Sequence, residues 1–207
     1  GFDHAQQSVR TVDVLEKDGQ GLNLTFEVRD GIRNHQTKGH PMTLEGCVVR
    51  YSDKIAYIHH DMDDAIRAGI LTEEDVPKGI QEAIGSTTGE RLDHFIHDIV
   101  SNSYGKNEIG MSPPVEEAMQ ELRKFMFQRV YLNPEAKGEE GKAEILMETL
   151  YDYYLHHLDL LPREFRMLME EKGEPRERVV CDYVGAMTDR FAIAKYEEIY
   201  IPKSWQY

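Results

Sequence analysis

The stretch YSDKIAYIHHDMDDA, residues 51–65, concentrates side chains that could bind a cation, a phosphate or a sugar. On a helix, residues four apart share a face, because each step of four turns roughly 400°. Asp53, Tyr57 and Asp61 then form one row, and Lys54 sits one step round from Asp53. Such a row can present a carboxylate to a metal, an ammonium to a phosphate, and a phenol to a sugar or base. His59 with Asp63, and His60 with Asp64, pair at the same spacing on other faces. A metal site needs three or four converging ligands, more than one helix face supplies. Taken alone, a run of His and Asp on a long helix reads as a solvated face with local charge pairs. The same reading covers His97 and Asp98 in DHFIHDIV, since neighbours on a helix point about 100° apart.

The elements that must hold these residues are helical. Apolar residues recur at helical spacing, and alternating strand patterns are scarce. Helices are expected over 4–17, 22–35, 44–69, 114–131, 140–158, 163–171 and 176–197, with another in STTGERLDHFIHDIV. Thr43 can cap the third, whose apolar stripe runs through Leu44, Val48, Ile55, Ile58, Met62 and Ile66, and Gly69 ends it. Thr72 with Asp75, and Thr87 with Glu90, stand at capping spacing. Ser112 can cap the helix that Pro113 opens. The tail IYIPKSWQY reads as extended. The fold class is all-α. SYGKNEIGMSPP is the best internal boundary, giving one domain over 1–110 and a helical packing or oligomerisation subdomain over 111–207.

Composition narrows the partners. A net charge of −14 leaves no basic surplus to neutralise phosphates, which argues against nonspecific binding to nucleic acid or an anionic membrane. A small phosphate ligand needs only a local basic pocket. No apolar run approaches the roughly eighteen residues of a membrane span, and GFDHAQQSVR lacks the apolar core of a signal peptide. Cys47 and Cys181 lie far apart and read as free thiols of a reducing compartment, so a cytoplasmic location is expected.

Four stretches carry a family resemblance in collinear order: FDHAQQSVRTVDVLE, GLNLTFEVRDGIRNH, PMTLEGCVVRYSDKIAY with its continuation to GIL, and DYVGAMTDRFAIAKYEEIYIP near the other end. Together they resemble the HD-domain deoxynucleoside triphosphate triphosphohydrolases, in particular the bacterial dGTP triphosphohydrolase-like branch. The resemblance implies an HD-type helical bundle and a divalent metal ion (Mg, Mn, Fe, Co or Ni) held by a His, a His-Asp dyad and a distant Asp. Asp53 matches the distant Asp. Lys54 would contact the triphosphate and Tyr57 the deoxyribose, with Asp61 within reach of the substrate. His4 matches a histidine beside the phosphates, where it could act as general acid with Gln7 orienting it.

The conspicuous His59-His60-Asp61 does not match the dyad, because it follows the terminal Asp instead of preceding it. The family's upstream H…HD pair and its P-F-G-H-x-G-E segment do not occur in these residues. Ala5 stands where the family usually has Asn. The expectation is a C-terminal portion of a dNTP triphosphohydrolase, inactive alone, from a homo-oligomeric parent. The alternative is a noncatalytic all-α nucleotide-binding or oligomerisation module. Arg29, Arg33, Asn34 and His35 could reach phosphate or sugar or be ordinary surface polarity. Asp182, Tyr183, Asp189 and Arg190 are expected to serve packing, with Asp189 and Arg190 as buried polar contacts. Leu150, Tyr153, Tyr154, His157 and Leu158 are read as core or subunit interface.

Overall fold

A computed structural model describes residues 2–203. Among the described residues the regular structure is entirely helical, with no strand. The principal helices are α1 (His4–Arg10), α2 (Phe26–Arg33), α3 (Leu44–Arg67), α4 (Lys78–Ile84), α5 (Thr88–Ser103), α6 (Pro113–Met126), α7 (Glu140–His156), α8 (Arg163–Glu170), α9 (Arg176–Gly185) and α10 (Asp189–Tyr200). They fall into two compact units. The first comprises the residues up to Val12 together with Asn23–Lys137; the second comprises Asp13–Leu22 and the residues from Gly138 onward.

In the first unit, the helix starts follow from side-chain caps. The Asp3 carboxylate accepts from the Ala5 and Gln6 amides at 3.0 and 3.3 Å. Thr43 accepts from Gly46 N at 3.0 Å, with Glu45 in the favourable first turn of α3. Glu90 N donates to Thr87 Oγ1 at 3.3 Å while Glu90 Oε2 accepts from Thr87 N at 3.2 Å, which completes the expected box. Thr72 and Asp75 pair as their spacing suggests, with Thr72 N 2.8 Å from Asp75 Oδ2. Gly69 turns the chain out of α3 at φ +72°.

The core joins Ile55, Ile58, Met62 and Ala65 of α3 to Ile80 and Ile84 of α4, Phe95 of α5, and Val115, Ala118, Met119, Leu122 and Met126 of α6. Each buried Ile, Val, Leu, Met or Phe among them contributes roughly 1.5–3 kcal/mol. Arg91 is also fully buried there, and its guanidinium reaches Glu73 at 2.6 Å. Where α2 meets α3, a Cβ on Gly46 would stand 2.6 Å from Pro41 Cβ and 3.5 Å from Gly31 Cα. Two backbones therefore touch at that crossing, and no larger residue fits between them without movement.

The second unit has its own core of Leu150 and Tyr154 from α7, Leu168 from α8, Val179, Val180, Tyr183 and Val184 from α9, and Ala192 from α10, with Leu161. Val14 and Leu15 pack against it. Asp182 is buried with Arg178 Nε 3.4 Å away, but Asp189 and Arg190 are exposed and are not the buried polar contacts expected of them.

Several boundaries differ from the sequence reading, each for a local reason. The first helix is α-helical only to Arg10, followed by a π turn over Thr11–Leu15 and left-handed backbone at Lys17 and Asp18. α2 begins at Phe26 because Thr25 caps it, leaving 22–25 outside. Leu44 and Val48 are exposed, so the buried stripe of α3 starts at Ile55. Ser112 does not cap α6; its hydroxyl donates to Asp98 at 2.6 Å. α6 gives way to a π turn over Phe127–Tyr131. The helix expected over 176–197 is two helices, because Thr188 caps a new start with Phe191 N at 3.4 Å. By compactness the two units divide after Lys137, since α6 completes the first core. Ile199 and Tyr200 of the tail are helical, and residues 204–207 lie outside the described residues.

Candidate nucleotide cleft

The first unit contains a cleft of about 570 Å³. α3 supplies Asp53, Lys54 and Tyr57 to its lining; Asp61, the third member of the four-residue row, does not line it. α1 contributes His4, and the segment after α2 contributes His35, Gln36, Thr37 and Lys38. α6 adds Arg123 between Met119 and Met126, and Tyr131 lines the cleft from the π turn that follows.

The walls are tied together by specific contacts. Gln36 Nε2 donates to Asp3 Oδ1 at 3.1 Å, joining the start of α1 to the segment beyond α2. Asp3 is held below its usual carboxylate range, first by the Gln6 amide and also by Ala5 and Gln36. His4 and His35 meet edge to face, 5.2 Å between ring centroids. His35 Nδ1 lies 2.6 Å from the Ile32 carbonyl, which fixes its proton there and leaves Nε2 for a ligand. Lys54 Nζ donates to Glu116 Oε1 at 2.8 Å.

Tyr131 is the hub of the other end. Its ring stacks on Tyr57 at 6.1 Å, and its hydroxyl donates to the Asp61 carboxylate. Burial, and then these bonds to Asp61 and Tyr57, push the Tyr131 phenol well above its ordinary range, so it acts as a neutral donor. Asp61 thus joins the site through Tyr131. Arg123 and Tyr131 escaped the sequence reading. The available signal was an arginine at helical spacing between two core methionines.

A phosphohydrolase-associated domain model matches residues 109–198. The chain is 50% identical to the deoxyguanosinetriphosphate triphosphohydrolase-like protein of Caldanaerobacter subterraneus subsp. tengcongensis, over 99% of this chain and 60% of that protein. Proteins with the same description from Clostridium perfringens strain 13 and Desulfatibacillum aliphaticivorans are 43% and 38% identical, over 100% and 97% of this chain and 63% and 62% of theirs. The chain belongs to the deoxyguanosinetriphosphate triphosphohydrolase-like family. It spans about 60% of the length of these relatives. The matched domain begins at 109, beside the sequence boundary, although α6 packs into the first core.

Within this family member, the four residues His4, Asp53, Lys54 and Tyr57 come from segments about fifty residues apart and share one cleft. The conspicuous histidines do not. His59 is a core residue, edge to face with Phe95 at 5.8 Å, its Nδ1 2.7 Å from the Ile55 carbonyl. Asp63 accepts from Thr88 Oγ1 at 3.1 Å, and Asp64 pairs with Arg67 at 3.1 Å. His97 pairs with Asp93 while Asp98 binds Ser112, so that His-Asp pair points two ways. Among the described residues no group of three or more His, Cys, Asp or Glu side chains converges as a metal cage. These residues do not by themselves fit a resident divalent ion, and Asp53 offers one carboxylate.

Proposed function

We propose that the cleft is the deoxynucleoside triphosphate site of a phosphohydrolase that cleaves a dNTP, of the dGTP type, to deoxynucleoside and inorganic triphosphate. The observation that carries this reading is that His4, Asp53, Lys54 and Tyr57 line one cleft. Family membership supports it. Lys54 and Arg123 offer positive charge to the phosphate oxygens, where negative charge develops as the ester breaks. Tyr57 offers a flat face and a hydroxyl to the deoxyribose, and its ring is braced by Tyr131. Asp61 orients the Tyr131 hydroxyl and lies within one side chain of the sugar subsite. His4 is the candidate general acid for the leaving oxygen, an imidazole being able to give a proton near neutral pH.

In this reading Asp53 is one ligand of a divalent metal ion, the remainder coming from outside the described residues. The active protein is a cytoplasmic homo-oligomer. The test is to incubate the whole encoded protein with each dNTP and with Mg, Mn, Fe, Co or Ni, and to measure deoxynucleoside and tripolyphosphate release. Release of pyrophosphate or orthophosphate instead, or none under any ion, would overturn the reading. Tyr57→Phe should raise KM for dNTP more than it lowers kcat, and Asp53→Asn should abolish turnover.

A further inference from the structure

Lys54 borders two cavities. One is the cleft; the other is a small space of about 70 Å³ bounded by Thr37, Arg50, Tyr51, Lys54 and Glu116. The ammonium is committed to the second side. Its side chain is 14% exposed, and Nζ rests on Glu116 Oε1 at 2.8 Å. Glu116 lies in the first turn of α6, where free N–H groups favour a carboxylate. The neighbouring cation is otherwise engaged: Arg50 reaches the Thr37 and Gly39 carbonyls at 3.4 and 3.3 Å and lies over the Tyr51 ring at 5.0 Å. An anion entering the cleft therefore meets a lysine already neutralised by a carboxylate.

We propose that Glu116 is a competing counter-ion for Lys54 and so a specificity-determining residue of the cleft. It sets how much negative charge a ligand must bring before Lys54 turns to it. A triphosphate, with several charges spread along the cleft toward Arg123, displaces the single carboxylate. A lone phosphate does not. The inference rests on the reading of the cleft as a triphosphate site and adds to it a reason for discrimination against monophosphates.

The experiment measures binding of tripolyphosphate and of inorganic phosphate to the 207-residue chain at low salt, by calorimetry. Unmodified chain should prefer tripolyphosphate. Glu116→Gln keeps an acceptor oxygen and removes the charge; it should tighten inorganic phosphate about fivefold, the scale of one partly exposed ion pair. Tripolyphosphate should gain less, so the ratio between the two shrinks. Adding Lys54→Met should erase the gain. Circular dichroism melting checks that each variant folds, and Glu116→Ala stands in should Glu116→Gln fail. An unchanged or weakened phosphate affinity overturns the proposal, showing that the carboxylate orients Lys54 for the anion. A gain that survives Lys54→Met also overturns it, as does the absence of anion binding in every variant. Whole protein that binds tripolyphosphate but hydrolyses no dNTP sinks the functional reading alone. Hydrolysis with an unaltered ratio in Glu116→Gln sinks this proposal alone.

Discussion

The Tyr131 hydroxyl donates a hydrogen bond to the Asp61 carboxylate across seventy positions of sequence, and its ring lies against Tyr57. That bond couples the π turn after α6 to the acidic row of α3. Hydrogen bonds to charged groups contribute roughly 1.5–3 kcal/mol. Tyr131→Phe keeps the stacking and removes the bond. It is expected to lower the unfolding free energy of the chain by about 1–2 kcal/mol, discounted for partial exposure. Urea unfolding followed by circular dichroism gives the number, and a variant as stable as the parent would show the bond to be idle.

His59 gives the first unit a pH dependence with a definite sign. Burial pushes its imidazole below the ordinary value of 6.5, the neighbouring Arg91 charge adding to this, against the opposing pull of the Ile55 carbonyl. Its Nε2 is buried without a hydrogen-bond partner among the described residues. The unfolded chain therefore takes up a proton that the folded chain resists. The contribution is fully present above about pH 6.5 and is lost as pH falls toward the depressed folded value. Unfolding free energies at pH 7.5 and 5.5 should differ, and His59→Leu should flatten that part of the difference. A slope unaffected by the substitution would place the titration elsewhere.

Arg91 depends on Glu73 in the same core. Its side chain is fully buried, and the Glu73 carboxylate at 2.6 Å is its counter-charge. Glu73→Ala leaves the guanidinium buried with less compensation, which typically costs about 3–5 kcal/mol. The double variant Glu73→Ala with Arg91→Met should recover most of the loss. Failure of the second change to rescue the first would mean that the cost is one of packing around the turn at Glu73–Asp75.

Asp53 is expected to matter for chemistry and not for folding. It is exposed on the cleft wall, and no metal cage converges on it among the described residues. The 207-residue chain should show no tight binding of Mn or Mg by calorimetry, no melting shift with EDTA, and no release of triphosphate from dGTP. Asp53→Asn should melt within about 0.5 kcal/mol of the parent chain. Tight ion binding by the 207 residues would contradict this.

What could be read in the sequence was what spacing encodes. The cap at Thr43 and the stop at Gly69 were legible, and of the four-residue row Asp53 and Tyr57 line the cleft while Asp61 meets Tyr131 instead. His4 entered from its motif and lines the same cleft from α1. Contacts between distant segments left no such trace: the grip of Tyr131 on Asp61 and of Glu116 on Lys54 each spans sixty residues or more. Two local misreadings share one cause. Ser112 and Thr188 both stand at cap positions, yet Ser112 found Asp98 while Thr188 took its own helix. Which acceptor a hydroxyl meets depends on neighbours that periodicity does not reveal.

The second unit is not a simple appendage. Val14 and Leu15, far ahead of its other residues in the chain, pack against its core, and the Lys172 ammonium holds the Gly19 carbonyl. A single cut after Lys137 would therefore yield two broken pieces: one trailing an orphaned greasy ribbon, the other missing part of its own filling. Anyone wishing to study the halves separately would have to graft that ribbon across, and a gene fusion joining only the later half to a foreign partner would carry an open wound.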